Sequence, residues 1–220
     1  MSQRHSGDAD DAFIARVLGL SNWAKHNQQA VTVAAVVVAI LLAGGLYYQS
    51  YRSQLRDQAA EQLETIHQSI AIRDVEGAKV DLATFLDRFG GTPYEGEARL
   101  MLGELYLEGG ESQQALAVLG PLGTSPRRPI EFQGASLLGA AYEQEGRLAE
   151  AEETYLDIAD RSELDFQIRD ALASAARIRW LQGDGAGAIA LYERVLENME
   201  LTAPERGVYE MRIEEIRASS

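Results

Sequence analysis

The 220-residue sequence predicts an all-α protein: an α-solenoid of stacked helical hairpins preceded by a single transmembrane helix. Three observations predict it. Ala30 to Tyr48 is an uncharged apolar run. From Leu46 to Glu76 neither Gly nor Pro interrupts a helical pattern. From residue 59 onward, small and aromatic residues return at a nearly constant period.

The apolar run reads AVTVAAVVVAILLAGGLYY. At about 1.5 Å per helical residue it spans roughly the 30 Å hydrocarbon core of a bilayer. Lys25 and His26 precede it, and Tyr47, Tyr48, Tyr51 and Arg52 follow, which suits the headgroup layer. A buried core helix would keep a polar face, and this run has none. A cleaved signal peptide has a short basic start and a shorter apolar region. Here 29 residues come first. LAGG has the small residues of a cleavage site, but the length favours an uncleaved anchor. Arg16 and Lys25 on one side balance Arg52 and Arg56 on the other, so charge sets no orientation. Ala35, Ala39 and Ala43 form a small-residue stripe that would let a second helix approach.

Before the run, Phe13, Ile14, Val17, Leu18 and Trp23 suggest a short amphipathic helix behind Asp10 and Asp11. After it, Leu55, Ala59, Leu63, Ile66 and Ile70 recur every three or four residues. The membrane helix is therefore expected to continue through a stalk into the first soluble helix. The expected layout is an N-terminal segment 1–29, a transmembrane helix 30–48, a stalk 49–58, repeats 59–200 and a capping helix 201–220.

The repeats are clearest at Leu138-Gly139, Tyr142, Gly146, Ala151 and Tyr155. Leu102-Gly103, Tyr106, Gly110, Ala115 and Leu119 keep the same offsets. Ala175-Ala176, Gly183, Ala188 and Tyr192 keep most of them, with Arg179 in place of the tyrosine. Ala78, Leu82, Phe85 and Phe89 keep the second half. The starts fall at 59, 96, 132 and 169, a spacing of 36–37. Each unit reads as a helical hairpin. Gly110, Gly146 and Gly183 end the first helix with positive φ. Ala115, Ala151 and Ala188 lie where the second helix crosses it. Tyr142 and Tyr155 pack around the crossing and are expected to be largely buried. Each hairpin leaves one face uncovered, so neighbours must stack. Pro204 is expected to open the last helix.

This spacing resembles the tetratricopeptide repeat, best at 132–158, then at 96–122, 169–196 and 59–90. Tryptophan is absent from the usual fourth position, which is Ala135. FLDRFGGTPYEGEA (85–98) is similar to junctions in bacterial envelope repeat proteins, with Gly90 where proline is usual. A short N-terminus, one anchor and a small acidic repeat domain together resemble the bacterial ancillary Sec translocon subunit (YfgM-like) family. That resemblance implies a single-pass inner-membrane protein with a cytoplasmic N-terminus and periplasmic repeats. It implies association with the Sec translocon and periplasmic chaperones. An envelope scaffold for cell division, outer-membrane assembly or cytochrome maturation is the alternative, and a metal-binding or enzymatic helical domain is a third.

By register, the resemblance places a peptide-binding groove on the first helices. Its residues are Glu97, Leu100, Glu104 and Leu107; Gln133, Ser136, Ala140 and Glu143; and Asp170, Ala173, Arg177 and Trp180. Carboxylates beside Leu and Trp suit a basic or amphipathic peptide. Trp180 is the anchor candidate, unless it fills the interface with the next element. Arg127 and Arg128, in SPRRPIEF, stand on a Pro-bounded loop that is either a partner contact or a solvated turn.

Composition narrows the chemistry. Cysteine is absent, which excludes disulfides, thiolate metal sites and a cysteine nucleophile. Net charge is −14, and the whole excess lies beyond residue 51, with 17 Arg and Lys against 31 Asp and Glu. Such a domain repels nucleic-acid backbones. Glu64 and His67 have E-x-x-H spacing, but a di-iron site needs a second copy and further glutamates, and only Glu61 is near. The glycines at 109–110 and 183–187 lack the Lys-Ser/Thr of a phosphate loop. No cofactor and no catalytic residues are expected.

Overall fold

A computed structural model describes residues 27–200 and 203–219. The amphipathic segment proposed before residue 27 lies outside the described residues. Among the described residues the secondary structure is helical throughout: α1 (Gln28–Ala71), α2 (Val75–Phe89), α3 (Glu95–Glu108), α4 (Ser112–Gly123), α5 (Pro129–Gln144), α6 (Leu148–Arg161), α7 (Asp165–Leu181), α8 (Gly185–Glu197) and α9 (Arg206–Ser219).

The chain divides into two units at residue 54. In the first, α1 is long and apolar enough to cross a membrane. Its large side chains are exposed, Ile40, Leu41 and Leu46 by about two thirds. In the second unit, residues 55–71 of α1 begin a stack of four hairpins. Ala59, Leu63 and Ile66 supply the buried face of that stretch. α9 packs on α8 through the buried Ile213 and Ile216, with Tyr209 6.1 Å from Tyr192. The expected start at Pro204 is corrected. Pro204 and Glu205 form a turn, closed by Arg206 N–H on the Ala203 carbonyl, and the helix begins at Arg206.

Three left-handed glycines close the hairpins as the sequence predicts: Gly110 at φ 72°, Gly146 at 71° and Gly183 at 85°. The small residues at the crossings have direct causes. A methyl group on Gly139 would lie 2.7 Å from Cζ of Tyr155, and one on Gly103 would lie 2.5 Å from a methyl of Leu119. The fourth hairpin pairs Ala176 with Tyr192 at the same offsets, both buried. In the first hairpin Ile66 occupies that position.

The joint between the second and third hairpins is the tightest. A methyl group on Gly123 would meet the backbone of Ala135 and Gly134 at 2.9 Å, and one on Gly134 would meet Leu122 at 2.7 Å. This accounts for Ala135 at the position where tryptophan is usual: α4 and α5 leave no room for a large side chain. α5 also divides the core. Leu138 and Ala141 join a cluster built on Leu82, Phe85, Phe89 and Leu119, while Phe132 and Ala135 join one built on Ile158, Leu172, Ile178 and Val195. Burying each of the Leu, Ile, Val and Phe side chains among them contributes about 1.5–3 kcal/mol.

Tyr155 is buried as expected, but Tyr142 is only half-buried, which corrects the expectation for that residue. Tyr142 touches both clusters and lies at their edge. The Arg147 guanidinium covers its ring, 4.6 Å from the centroid.

Candidate functional site

The faces of the first helices come together along α1, α3, α5 and α7, and polar contacts tie each to the next. His67 Nε2 lies 3.2 Å from Glu97 Oε1. Gln144 Nε2 donates to the Leu107 carbonyl at 3.3 Å. Arg177 Nη2 donates to both Glu143 oxygens at 2.6–2.7 Å. The twelve groove residues expected from the sequence therefore fall on adjacent helices, but they do not form one open surface.

Leu100 is buried in the first core cluster, and Leu107 packs against it. Ala173 and Trp180 are half-buried against the second. Trp180 thus spends part of its surface on internal packing. Ala140 is half-buried on α5. Glu104, Gln133, Ser136, Asp170 and Arg177 remain exposed. Glu97 is half-exposed and engaged with His67.

Glu143 is the most constrained of the set. Only 17% of its side chain is exposed, and besides Arg177 it accepts a hydrogen bond from the Tyr155 hydroxyl at 2.9 Å. A bond to a charged acceptor of this kind contributes about 1.5–3 kcal/mol. Burial, and then the neighbouring Glu143 carboxylate, push the Tyr155 phenol well above its ordinary range, so it stays a donor. Two residues assigned to ligand binding by register thus satisfy one another. On α3 the situation is reversed. Partial desolvation of this otherwise exposed side chain, and then Glu108 one turn away, raise the Glu104 carboxyl, and among the described residues no cation pairs with it.

A second series of contacts runs along the hairpin joints. Lys79 on α2 is buried and donates to Glu76 and to Glu111 of the next hairpin, with its ammonium 5.7 Å from the Tyr106 ring centroid. The hydrogen bond to Glu111, then that to Glu76, hold its pKa above the ordinary value. Ser112 and Gln113 on α4 donate to Glu145 at 2.6 Å each. Glu152 on α6 accepts from Arg179 on α7 at 2.7 Å. The last contact explains the departure seen in the sequence. Lys79 and Glu152 occupy the same repeat position, as do Tyr106 and Arg179. One joint uses a cation on a ring, and the other uses a carboxylate on a cation. A sequence reading that compared position 21 of one repeat with position 11 of the next would have found this exchange.

The E-x-x-H histidine serves the α1–α3 contact just described. Among the described residues no group of three His, Cys, Asp or Glu side chains converges as a metal site. Of the described cavities, one of about 460 Å³ lies between α1 and α2, with Ile66 and Phe89 in its wall. Another, of about 330 Å³, lies between the loops that precede α5 and α7.

The family model described as a tetratricopeptide repeat-like domain matches residues 21–218. Among solved structures, a tetratricopeptide repeat protein from Parabacteroides merdae superposes with a TM-score of 0.62 at 14% identity. The match covers 74% of this chain and 61% of that one, so this chain spans about three fifths of that relative's length. A putative kinesin light chain from Podospora anserina, with nearly identical repeats, gives 0.58 at 18% identity, covering 74% of this chain and 87% of that one. At these identities the likeness is one of fold. No curated protein matches the chain.

Proposed function

The chain belongs to the tetratricopeptide repeat-like domain family, and on that premise we propose that it is a membrane-anchored protein-interaction scaffold. The transmembrane helix is the apolar first half of α1, and the repeats that follow hold a protein partner. The observation that carries this reading is the joining of two faces in one chain. A stretch of exposed aliphatic side chains from Val33 to Leu46 precedes hairpins whose first-helix face keeps Glu104, Gln133, Ser136 and Asp170 free of the core. Exposed apolar surface of that extent needs a cover, and a bilayer fits its length.

The ligand is a basic or amphipathic peptide segment. Glu104 favours it, because it is an exposed carboxylate that no described cation pairs, so an incoming cation meets a free charge there. The sequence resemblance supports the finer assignment: an inner-membrane protein with a cytoplasmic N-terminus and periplasmic repeats, beside the Sec translocon and periplasmic chaperones. The test is capture of the full chain after crosslinking in intact membranes. Translocon subunits and chaperones are the expected partners. Recovery of division, outer-membrane assembly or cytochrome-maturation proteins without translocon subunits would overturn the assignment. Protease added to spheroplasts reads the orientation, and protection of residues 52–220 until lysis would place the repeats in the cytoplasm instead.

A further inference from the structure

The third and fourth hairpins place a tyrosine at the same repeat position and give its hydroxyl different surroundings. Counted from the repeat starts at 132 and 169, Tyr155 and Tyr192 both stand at position 24, and Glu143 and Trp180 both stand at position 12. In the third hairpin the Tyr155 hydroxyl donates to Glu143 at 2.9 Å. In the fourth, tryptophan stands where that acceptor was, and an indole N–H can only donate. The Tyr192 hydroxyl finds no acceptor among the described residues.

The ring that carries it is fixed. Tyr192 is 6% exposed and packs in the second core cluster. Among the described residues no fully enclosed side-chain polar atom lacks a partner, so the hydroxyl opens to the surface. That surface is the first-helix face, because Arg177 of α7 acts on the hydroxyl, together with Arg212 and Glu215 of α9. Burial raises the phenol above its ordinary range, so it stays a donor. Both arginines are already matched, Arg177 by Glu143 at 2.6 Å and Arg212 by Glu215 at 2.8 Å. A ligand carboxylate would add an unmatched charge beside two made ion pairs. An uncharged acceptor meets the hydroxyl without disturbing either pair. The uncharged acceptor that every peptide carries is its main-chain carbonyl. In a helical peptide all but the last four carbonyls are taken by the helix itself, whereas in an extended peptide they are free to accept.

We propose that the Tyr192 hydroxyl holds a main-chain carbonyl of the peptide ligand, which therefore runs extended where it passes α7 and α9. Trp180, half-buried on α7, is the apolar wall beside that bond. Because the ring is already fixed by packing, little side-chain freedom is lost when the bond forms. The inference rests on the reading of the first-helix face as a peptide site and adds the ligand's conformation to it. Tyr155 and Tyr192 then divide two roles between them: one hydroxyl fastens the stack, and the other meets the ligand.

The test uses the full chain in phosphatidylcholine nanodiscs and two labelled Lys/Leu peptides of equal charge, acetylated and amidated, read by fluorescence anisotropy. One alternates Lys and Leu, the extended pattern. The other sets them at helical spacing and is held helical by a hydrocarbon staple. Tyr192→Phe should weaken the alternating peptide about three- to tenfold and leave the stapled one unchanged. The ring is kept and its hydroxyl has no internal acceptor, so the circular dichroism melt of Tyr192→Phe should not fall. Tyr155→Phe, which strips Glu143 of a donor, should melt about 3–12 °C lower. An alternating peptide that binds Tyr192→Phe as tightly as wild type overturns the proposal, as does an equal loss for the stapled peptide. A Tyr192→Phe melt as low as that of Tyr155→Phe would reveal an internal acceptor and overturn it too. So would a Tyr192 effect that appears only after a Leu of the peptide is exchanged for Gln or Glu, which would assign the hydroxyl to a side chain. Binding of neither peptide by the wild-type chain overturns the peptide-site reading itself, so the two failures are distinct.

Discussion

Gly123→Ala tests the closest joint of the stack. The added methyl would lie 2.9 Å from Cα and N of Ala135 and from the Gly134 carbonyl oxygen. All three are backbone atoms, so no side-chain rotation relieves the contact, and α4 and α5 must move apart. Overpacking of this kind costs about 1–3 kcal/mol. The gain in helix propensity is small because Gly123 is the last residue of α4. For a protein of this size each kcal/mol moves the melting temperature by about 2–4 °C, so a drop of about 2–12 °C is expected. The assay is thermal unfolding of the full chain in detergent micelles, followed by circular dichroism. Gly207→Ala is the matched control, since its methyl would meet nothing within 4 Å in the first turn of α9. It should gain up to about 1 kcal/mol. A Gly123→Ala melt equal to or above wild type would refute the argument from backbone approach.

Two further outcomes follow from the same geometry. At high pH the stack should loosen: the Lys79 pKa is raised above 10.5, so its contribution is complete below 10.5 and is lost as pH rises through the folded value. Tyr155 acts in the same direction, because the unfolded phenol ionises near 10.0 while the folded one does not. Glu131 and Glu95 have lowered values, so their contributions are complete above 4.5 and are lost as pH falls through their folded values. Urea titrations across these ranges check both limbs, and a midpoint that stays flat above pH 10 would contradict the first. Separately, Arg177→Ala releases the Glu143 carboxylate on the first-helix face and should strengthen binding of a Lys/Leu amphipathic peptide on the order of threefold or more. Weaker binding, read by anisotropy, would mean that Arg177 itself contacts the ligand.

The hairpins were legible because their spacing has local causes. Gly110, Gly146 and Gly183 are needed by a turn, and Gly139 by the ring of Tyr155, whatever the rest of the chain does. What sequence could not supply were quantities set by two repeats at once. Tyr142 belongs to the edge between two clusters, so its exposure depends on how α5 is shared. Ala135 is small because of Gly123, twelve positions earlier in another hairpin. Arg179 departs from the tyrosine pattern because Glu152 faces it. The groove assignment assumed that position alone decides which side chains are free. It did not weigh the pairing of Glu143 with Arg177, or the hold of the core on Leu100.

That pairing changes what a ligand must do. A peptide laid along the first helices meets free carboxylate at Glu104 and Asp170 but, between them on α5, a salt bridge that is already made. To use Glu143 it must displace Arg177 and leave Tyr155 as the remaining donor, which costs part of the affinity gained. The face therefore favours cations spaced to reach α3 and α7 over a continuous basic run. A peptide with two lysines far enough apart to pair Glu104 and Asp170 should outbind one with the same lysines adjacent, and Arg177→Ala should narrow that difference. The spacing preference comes from the Glu143–Arg177 ion pair, and it distinguishes this face from a uniformly acidic surface that would rank peptides by charge alone.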